Sequence, residues 1–301
     1  MMLNELQLLK DTLTKPNLWS YISLFGAKWL LDKAQGKANE GEKRRLLEYM
    51  IQQARLDDSS KNKINYMFTS IETALKGCDF ELRRIRIKAI SRGLIGGSET
   101  FGSIPFEVGL YFDPIMNVPY IPGSTIKGAV RSATFDLLLK ERVGTGRSSK
   151  GVEEEVEREC VRIFGGCIDN EDCSAGLVGF TDAYPIEGGK RGYLLYPDVM
   201  TPHYKDNVKS ELDVSPTPII YLTIAPGTKF QFYIFYRKER GGRRLTVRGS
   251  RDSDLAETPI PDLSRLGIVD RGLLYAFYRG VGAKTAVGYS RFEIVSYENV
   301  G

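Results

Sequence analysis

Apolar residues in the first quarter of the chain recur every three to four positions, which is the period of an α-helix. The first such run spans residues 18–29, and Asn17 stands directly before it, where its side chain can cap the helix. Two further runs, at residues 46–54 and 64–75, have the same period. We therefore expect residues 1–78 to form a helical extension that packs on the rest of the protein or on a neighbouring subunit.

The period of the pattern changes from about 3.6 to 2 near residue 80, which indicates a change from helices to strands. Ile85 and Ile87 alternate with Arg84 and Arg86, so this strand has one apolar and one cationic face. Further along, the pattern predicts three helices and four strands: helices from Ser124 or Thr125 to about Arg142, at 153–162 and at 270–279, and strands at 176–183, 217–225, 229–237 and 291–297.

Without its insertions, the order of the main elements from residue 80 is β-α-β-β-α-β. This order is typical of an α+β protein with a ferredoxin-like core, as in the RNA-recognition motif, in which two helices cover an antiparallel sheet. We expect one such domain over residues 79–301, with insertions at about 93–120 and 238–258. The strands at 217–225 and 229–237 are expected to form a hairpin across the Pro-Gly turn between them.

Composition excludes several classes of protein. The 301-residue chain has 42% hydrophobic and 11% aromatic residues, enough to bury a core, so it is not a disordered protein. Its single histidine excludes metal sites that need two, such as those of HExxH metalloproteases. The N-terminus lacks a basic leader, and no apolar run approaches the ~18 residues of a membrane span. We therefore expect a cytoplasmic protein without a metal or a cofactor.

The four cysteines are too few, in a chain of this length, to indicate a disulfide-stapled secreted domain. Cys160, Cys167 and Cys173 lie near one another in sequence, but their spacing is unlike the C-x2–4-C pairs of zinc sites. Zinc is therefore disfavoured, and whether any of these cysteines form a disulfide stays open.

The net charge is 42 − 38 = +4, but the charges are unevenly distributed along the chain. Seven basic residues and one acid lie between positions 235 and 251, whereas eight acids lie between 153 and 172. The strand at 83–88 and the segment 127–150 are also basic. Basic clusters beside glycine-rich loops are typical of surfaces that bind an RNA backbone, and a solvated charged surface is the alternative.

A glycine-rich loop with the sequence GVGAKT occupies residues 280–285. It superficially resembles a phosphate-binding P-loop, but it lacks the glycine directly before the lysine. It also follows a predicted helix and precedes a predicted strand, which is the reverse of the order in a P-loop. Its glycines still let backbone amides approach a phosphate closely, and Lys284 adds a positive charge.

Together with four other elements, this loop resembles the RAMP superfamily, the repeat-associated proteins of CRISPR effector complexes. The elements that accompany it are its continuation GYSRF at 288–292, IPGSTIKGAVR at 121–131, Phe164-Gly165, and FTDA at 180–183. The stretch DVMTPHY at 198–204 narrows the resemblance to the family of the sixth Cmr subunit, from type III-B complexes. The resemblance covers about residues 80–300, with Ser290 standing where glycine is commoner.

The resemblance implies a non-catalytic subunit that binds and caps the 3′ region of the guide RNA in a type III-B RNA-targeting complex of antiviral defence. Its implied partners are the guide RNA, the target RNA, and the neighbouring backbone, small helical and terminal RAMP subunits of the Cmr complex. Three alternatives remain: a stand-alone guide-processing endoribonuclease centred on His203, a terminal subunit of a type III-A complex, and an adaptor that touches no RNA.

The resemblance and the basic clusters together give a set of candidate RNA-binding residues and no catalytic or metal-binding residue. The set is Ser124, Thr125, Lys127, Arg131, His203, Tyr204, Arg240, Arg243, Arg244, Arg248, Gly280, Gly282, Lys284, Thr285, Tyr289 and Arg291. Ser124 and Thr125 lie at a predicted helix N-terminus, where free N–H groups and the helix dipole attract anions, and Lys127 and Arg131 lie one turn inside. The tyrosines can stack on bases. His203 can contact RNA or a subunit, hydrogen-bond locally, or act as a general acid or base.

Overall fold

The computed structural model describes residues 17–78, 80–143, 149–168, 172–201, 218–237 and 267–300. These residues contain six helices of more than ten residues and eleven strands. The helices are α1 (Leu18–Ala34), α2 (Glu40–Gln53), α3 (Asp58–Gly77), α4 (Gly123–Val143), α5 (Ser149–Phe164) and α6 (Ile268–Arg279). The longer strands are β1 (Phe80–Ala89), β8 (Leu195–Met200), β9 (Ile219–Ile224), β10 (Lys229–Arg237) and β11 (Phe292–Asn299). The shorter strands are β2 (Phe112–Asp113), β3 (Val118–Pro119), β4 (Gly165–Ile168), β5 (Asp172–Ala175), β6 (Val178–Phe180) and β7 (Tyr184–Glu187).

The main sheet is antiparallel and has the order β11-β1-β10-β6, with β7 also paired to β10. Strand β1 lies inside this sheet, between β10 and β11. The fold is therefore a mixed α/β structure built on an antiparallel sheet, as the change of period near residue 80 predicts. None of the helices in the described residues is long and apolar enough to cross a membrane.

Two hydrophobic clusters lie against the main sheet. Ile85 and Ile87 belong to one cluster, which also contains buried residues of α4, α5 and α6. Leu82 belongs to the other cluster, which contains buried residues of α1, α2 and α3 and of the segment between β1 and α4. Because successive side chains of a strand point to opposite faces, these clusters cover the two faces of the sheet. The N-terminal helices thus pack directly on the sheet.

The cationic side of β1 is neutralised within the protein. Arg84 donates to Glu72 of α3 at 2.7 Å and to Glu298 of β11 at 3.0 Å, and Lys88 pairs with Glu293 at 2.7 Å. Burial alone would raise the pKa of Glu72, but hydrogen bonds from Arg84 and its other neighbours lower that pKa to about 2. Because these cations already have acid partners, the structure gives no support to this strand as a phosphate-binding surface. Arg84 joins the sheet to α3, whereas Lys88 pairs with β11 within the sheet.

The expected hairpin between β9 and β10 is also wrong, although both strands form. Strand β9 pairs with β8 in a separate two-stranded sheet, and β10 pairs with β1, β6 and β7. The turn after β9 lies against the end of β1, where the Gly227 N–H donates to the Ala89 carbonyl at 2.7 Å. The turn therefore places the start of β10 beside the end of β1, and β10 pairs with β1 in the main sheet and not with β9.

Cys167 and Cys173 face each other across the β4–β5 hairpin and form a disulfide. The remaining cysteines are free thiols: Cys160 is buried and Cys78 is exposed. Burial raises the pKa of the Cys160 thiol to about 11, so it stays protonated. No cluster of three or more metal-binding side chains occurs among the residues that the structure covers. The open question about the cysteines is thus resolved in favour of one disulfide.

A buried carboxyl group lies between α6 and the sheet. Tyr236 and Tyr297 both donate hydrogen bonds to Oδ1 of Asp270, which is 6% exposed. Burial raises the pKa of Asp270 to about 6, and the hydrogen bond from Tyr297 opposes this shift without cancelling it. The protonated form is therefore favoured by folding.

Asp270→Asn is expected to stabilise the protein more at pH 8 than at pH 4.5. A carboxyl whose folded pKa is raised contributes most stability below its unfolded value, and this contribution is lost as pH rises through about 6. A shift of about two pKa units corresponds to at most about 3 kcal/mol. Urea unfolding at both pH values measures the difference.

Glu154→Gln, which removes an exposed carboxylate from α5, is the control for this experiment. If the gap in unfolding free energy between Asp270→Asn and the wild type is the same at pH 4.5 and pH 8, the buried carboxyl does not titrate as described.

Candidate nucleic-acid interface

The glycine-rich loop connects α6 to β11 and is fixed by backbone hydrogen bonds to the segment after β1. The Ala283 N–H donates to the Leu94 carbonyl at 2.8 Å, and the Ser290 N–H donates to the Arg92 carbonyl at 2.8 Å. The hydroxyl of Ser290, which is fully buried, accepts from the Leu94 N–H at 2.9 Å. The Ser290 hydroxyl therefore supplies a hydrogen bond to this loop that a glycine at the same position could not make.

Two glycines of the loop are required by its shape. Gly280 and Gly282 have φ values of 113° and 122°, which other residues rarely adopt. A Cβ on Gly282 would lie 2.6 Å from the Leu94 carbonyl oxygen, and one on Gly280 would lie 2.7 Å from the Tyr289 carbonyl oxygen. At both predicted glycines, the absence of a side chain thus lets the loop backbone lie close to another backbone segment.

A polar network joins one side of the loop to the β8–β9 sheet. Nζ of Lys284 donates to the Tyr221 hydroxyl at 3.1 Å and lies 5.6 Å from the centre of the Tyr289 ring. The Tyr289 hydroxyl donates to Oδ2 of Asp198, and Arg92 donates to Oδ1 of the same carboxylate at 2.7 Å. Two predicted residues, Lys284 and Tyr289, are therefore held in one network with the first residue of the 198–204 stretch.

The tyrosines of this network remain protonated at neutral pH. Burial raises the pKa of Tyr289, and its hydrogen bond to Asp198 raises it further. Burial also raises the pKa of Tyr221. Both hydroxyls are therefore hydrogen-bond donors that orient their neighbours, and neither is poised to accept a proton.

Sequence reasoning missed Tyr221 and Arg92, and it included Asp198 only as part of the 198–204 stretch. Arg92 also lies over the Tyr196 ring, 5.3 Å from its centre, so a second cation–aromatic pair borders the network. These residues come from separate segments that only the fold brings together. The one sequence signal was the family resemblance, because Asp198 opens the stretch that resembles the sixth Cmr subunit.

A cavity of about 420 Å³ lies between α4, the end of α6 and the glycine-rich loop, with Arg291 just before β11 at its edge. It is lined by Ala129, Ser132, Ala133, Ala276, Tyr278, Arg279, Gly280, Thr285, Ala286 and Arg291. Three predicted residues, Gly280, Thr285 and Arg291, are thus brought to one cavity. Nε of Arg291 is buried without a hydrogen-bond partner in the described part of the chain.

Helix α4 begins at Gly123, one or two residues before the predicted cap. The Asp182 carboxylate accepts from the Gly123 N–H at 2.7 Å, so one orphan donor of the helix N-terminus is already satisfied. Ser124 is exposed and Thr125 is half-buried in the first turn. Lys127 has no ion-pair or hydrogen-bond partner among the residues that the structure describes, so its ammonium is available.

The acidic segment after α4 neutralises cations of that helix. Arg131 pairs with Glu157 of α5, and Arg142 pairs with Glu155 at 3.3 Å and with Glu159. The uneven charge along the sequence is therefore largely cancelled in this part of the fold. Among the predicted RNA-binding residues, Arg131 is placed in an internal ion pair.

Six predicted residues lie outside the described part of the chain: His203, Tyr204, Arg240, Arg243, Arg244 and Arg248. The same holds for the expected insertion at 238–258. Strand β8 ends at Met200, so the structure describes the beginning of the 198–204 stretch, including Asp198.

Comparisons with known proteins agree with the resemblance found in the sequence. The model of the RAMP superfamily matches residues 86–293. A protein of Saccharolobus solfataricus, described as CRISPR system CMR subunit Cmr6, is 35% identical over 85% of this chain and 72% of its own length. Cmr6 of Pyrococcus furiosus is 29% identical over 68% of this chain and 66% of its own length.

A solved structure is similar over nearly the whole chain. It is described as a cryo-EM structure of the type III-B Cmr-beta bound to cognate target RNA, and the matching chain has a TM-score of 0.70 and 30% identity. The match covers 99% of this chain and 97% of that chain. The similarity therefore includes the N-terminal helices, which the family model does not reach.

Replacing Gly282 by alanine is expected to destabilise the loop by at least about 1 kcal/mol more than replacing Gly288. Both glycines have positive φ, 122° and 90°, but only at Gly282 would a Cβ collide with backbone. The pair of variants therefore separates the close approach to Leu94 from the cost of the left-handed conformation. Urea unfolding measures the two decreases in stability, and equal decreases would contradict a role for the close approach.

Proposed function

This chain belongs to the RAMP superfamily, and from that premise we propose that it is a subunit of a type III-B CRISPR effector complex that acts in the cytoplasm. The 35% identity to a Cmr6 protein and the similarity to a chain of an RNA-bound Cmr complex support this proposal. In such a complex the protein binds and caps the 3′ region of the guide RNA. Its neighbours are the backbone, small helical and terminal RAMP subunits.

One observation carries the RNA-binding role. Lys127, Lys284 and Arg291 have no ion pair with a carboxylate in the described residues, whereas Arg131, Arg142 and most cations of β1 do. Cations without an ion pair are available to phosphates, since no internal acid pairs with them, and Lys284 and Arg291 lie within and just after the glycine-rich loop. The proposed interface is therefore the small set of cations that the fold leaves without an acidic partner.

The polar network beside the loop supports binding without catalysis. Its tyrosines have raised pKa values, so they hold Lys284 and Asp198 in place and do not take a proton from a ribose hydroxyl. These two tyrosines therefore provide no general base, which supports the proposal of a non-catalytic subunit. The core is inferred to be ferredoxin-like, because α4 and α6 share one face of a sheet in which β1 and β10 are inner strands.

A double variant that changes Lys127 and Lys284 to glutamine is expected to bind single-stranded guide RNA about tenfold or more weakly at 150 mM salt. The slope of log K against log salt should fall by about one for each phosphate that the variant no longer neutralises. Fluorescence anisotropy at 50, 100 and 200 mM KCl measures both quantities.

The matched control for this variant is Lys88→Gln, which removes a cation that is already paired with Glu293. The control is expected to keep the affinity and the salt slope of the wild type. An unchanged affinity and slope in the double variant would instead favour an adaptor that touches no RNA.

His203→Ala is expected to leave guide assembly and target cleavage by a reconstituted complex unchanged. The purified chain is expected to leave repeat RNA intact, because a binding subunit needs no general acid or base. Gel analysis of labelled RNA checks both points. Cleavage of repeat RNA by the chain alone, abolished in His203→Ala, would establish the endoribonuclease alternative.

A further inference from the structure

We propose that the cavity beside the glycine-rich loop holds one unstacked nucleotide of single-stranded RNA, with its phosphate at Arg291 and its base against Tyr278. This inference rests on the RNA-binding function proposed above and adds a specific site to it. The bound strand would leave its regular stack at this point, so that one base turns into the protein.

The size and lining of the cavity fit a nucleotide. Its volume of about 420 Å³ lies in the range of about 300–1,000 Å³ that is typical of small-molecule sites. The walls include Ala129 and Ala133 of α4, Ala276 of α6 and Ala286 of the loop, which leave room because their side chains are short. A bare phosphate would fill only a small part of this space, whereas a sugar and base would use it.

Arg291 supplies the charge for the phosphate. Its Nε is buried and lacks a hydrogen-bond partner in the described residues, and a buried donor without an acceptor is unfavourable. The other arginine of the cavity, Arg279, pairs with Asp136 and lies over the Tyr275 ring. Arg291 is thus the arginine of this cavity that has no ion pair in the described residues, and a guanidinium suits a phosphate oxygen.

Tyr278 supplies an aromatic surface for the base. It lines the cavity and is 70% exposed, although large aromatic side chains are usually more buried. Within the described part of the chain, no aromatic ring or cation packs against the Tyr278 ring. An exposed ring beside a cationic cavity binds bases without regard to sequence, because every base presents a flat face for stacking. The hydroxyls of Ser132 and Thr285 can pair with the sugar or base edge.

Filling the cavity tests the proposal without removing a charge. Ser132 is exposed on α4 and lines the cavity, so Ser132→Trp would occupy the space of the nucleotide. Ser23→Trp makes the same change at an exposed position of α1, away from the cavity, and is the matched control. The probe is a fluorescein-labelled RNA of ten uridines, and thermal unfolding of each variant verifies that it is folded.

Ser132→Trp is expected to raise the Kd for the RNA by about tenfold, in line with the loss of one stacked base, and Ser23→Trp by less than twofold. If the wild type binds RNA and Ser132→Trp binds it equally well, the nucleotide pocket is wrong while the proposed function stands. If the wild type itself does not bind the RNA, the proposed function fails and the pocket fails with it.

Photocrosslinking gives a second readout that does not depend on affinity. RNA that contains 4-thiouridine is expected to crosslink to the peptide carrying Tyr278 in the wild type and in Ser23→Trp, but not in Ser132→Trp. Uridine monophosphate should suppress this crosslink at lower concentration than inorganic phosphate, because only the former fills the base position. Equal suppression by both, or a crosslink that survives in Ser132→Trp, would overturn the proposal.

Discussion

The described structure depends on how the two faces of β1 are satisfied. One face is apolar and is covered by α4 and α6, while the other carries arginines that cannot be covered until they are neutralised. Glu72 of α3 and Glu298 of β11 provide that neutralisation, and both also join separate parts of the chain to the strand. The N-terminal helices can therefore pack over a charged strand face because they bring an acid with them.

The position of the glycine-rich loop follows from the same strand. The chain leaves β1 and forms the segment around Leu94, which bonds to the loop through Ala283 and through the hydroxyl of Ser290. The loop is thus attached to the segment that follows an inner strand of the sheet, and not only to its own flanking elements. A polar network fixes one side of it, and a cavity opens on the other, so a single backbone segment separates two chemically different surfaces.

Sequence reasoning succeeded where a feature depends on local order. The apolar period of residues 18–29 predicted α1, and Asn17 caps it by accepting from the Ser20 N–H at 3.0 Å. Sequence reasoning failed where a strand pairing or an ion pair depends on residues that are distant in the sequence. The pairing of β9 with β8, and the ion pairs between α4 and α5, require interactions that no period encodes. The candidate site shows the same division: its glycines and Lys284 could be predicted, whereas the network around Asp198 could not.

The hydrogen bond between Lys284 and Tyr221 has a consequence for the entropy of binding. A free lysine side chain has many rotamers, and immobilising such a side chain at an interface costs about 0.5–1.5 kcal/mol. Lys284 is already held by the Tyr221 hydroxyl at 3.1 Å and lies against two aromatic rings. Its ammonium is therefore preorganised before any anion arrives, and little ordering remains to oppose the interaction.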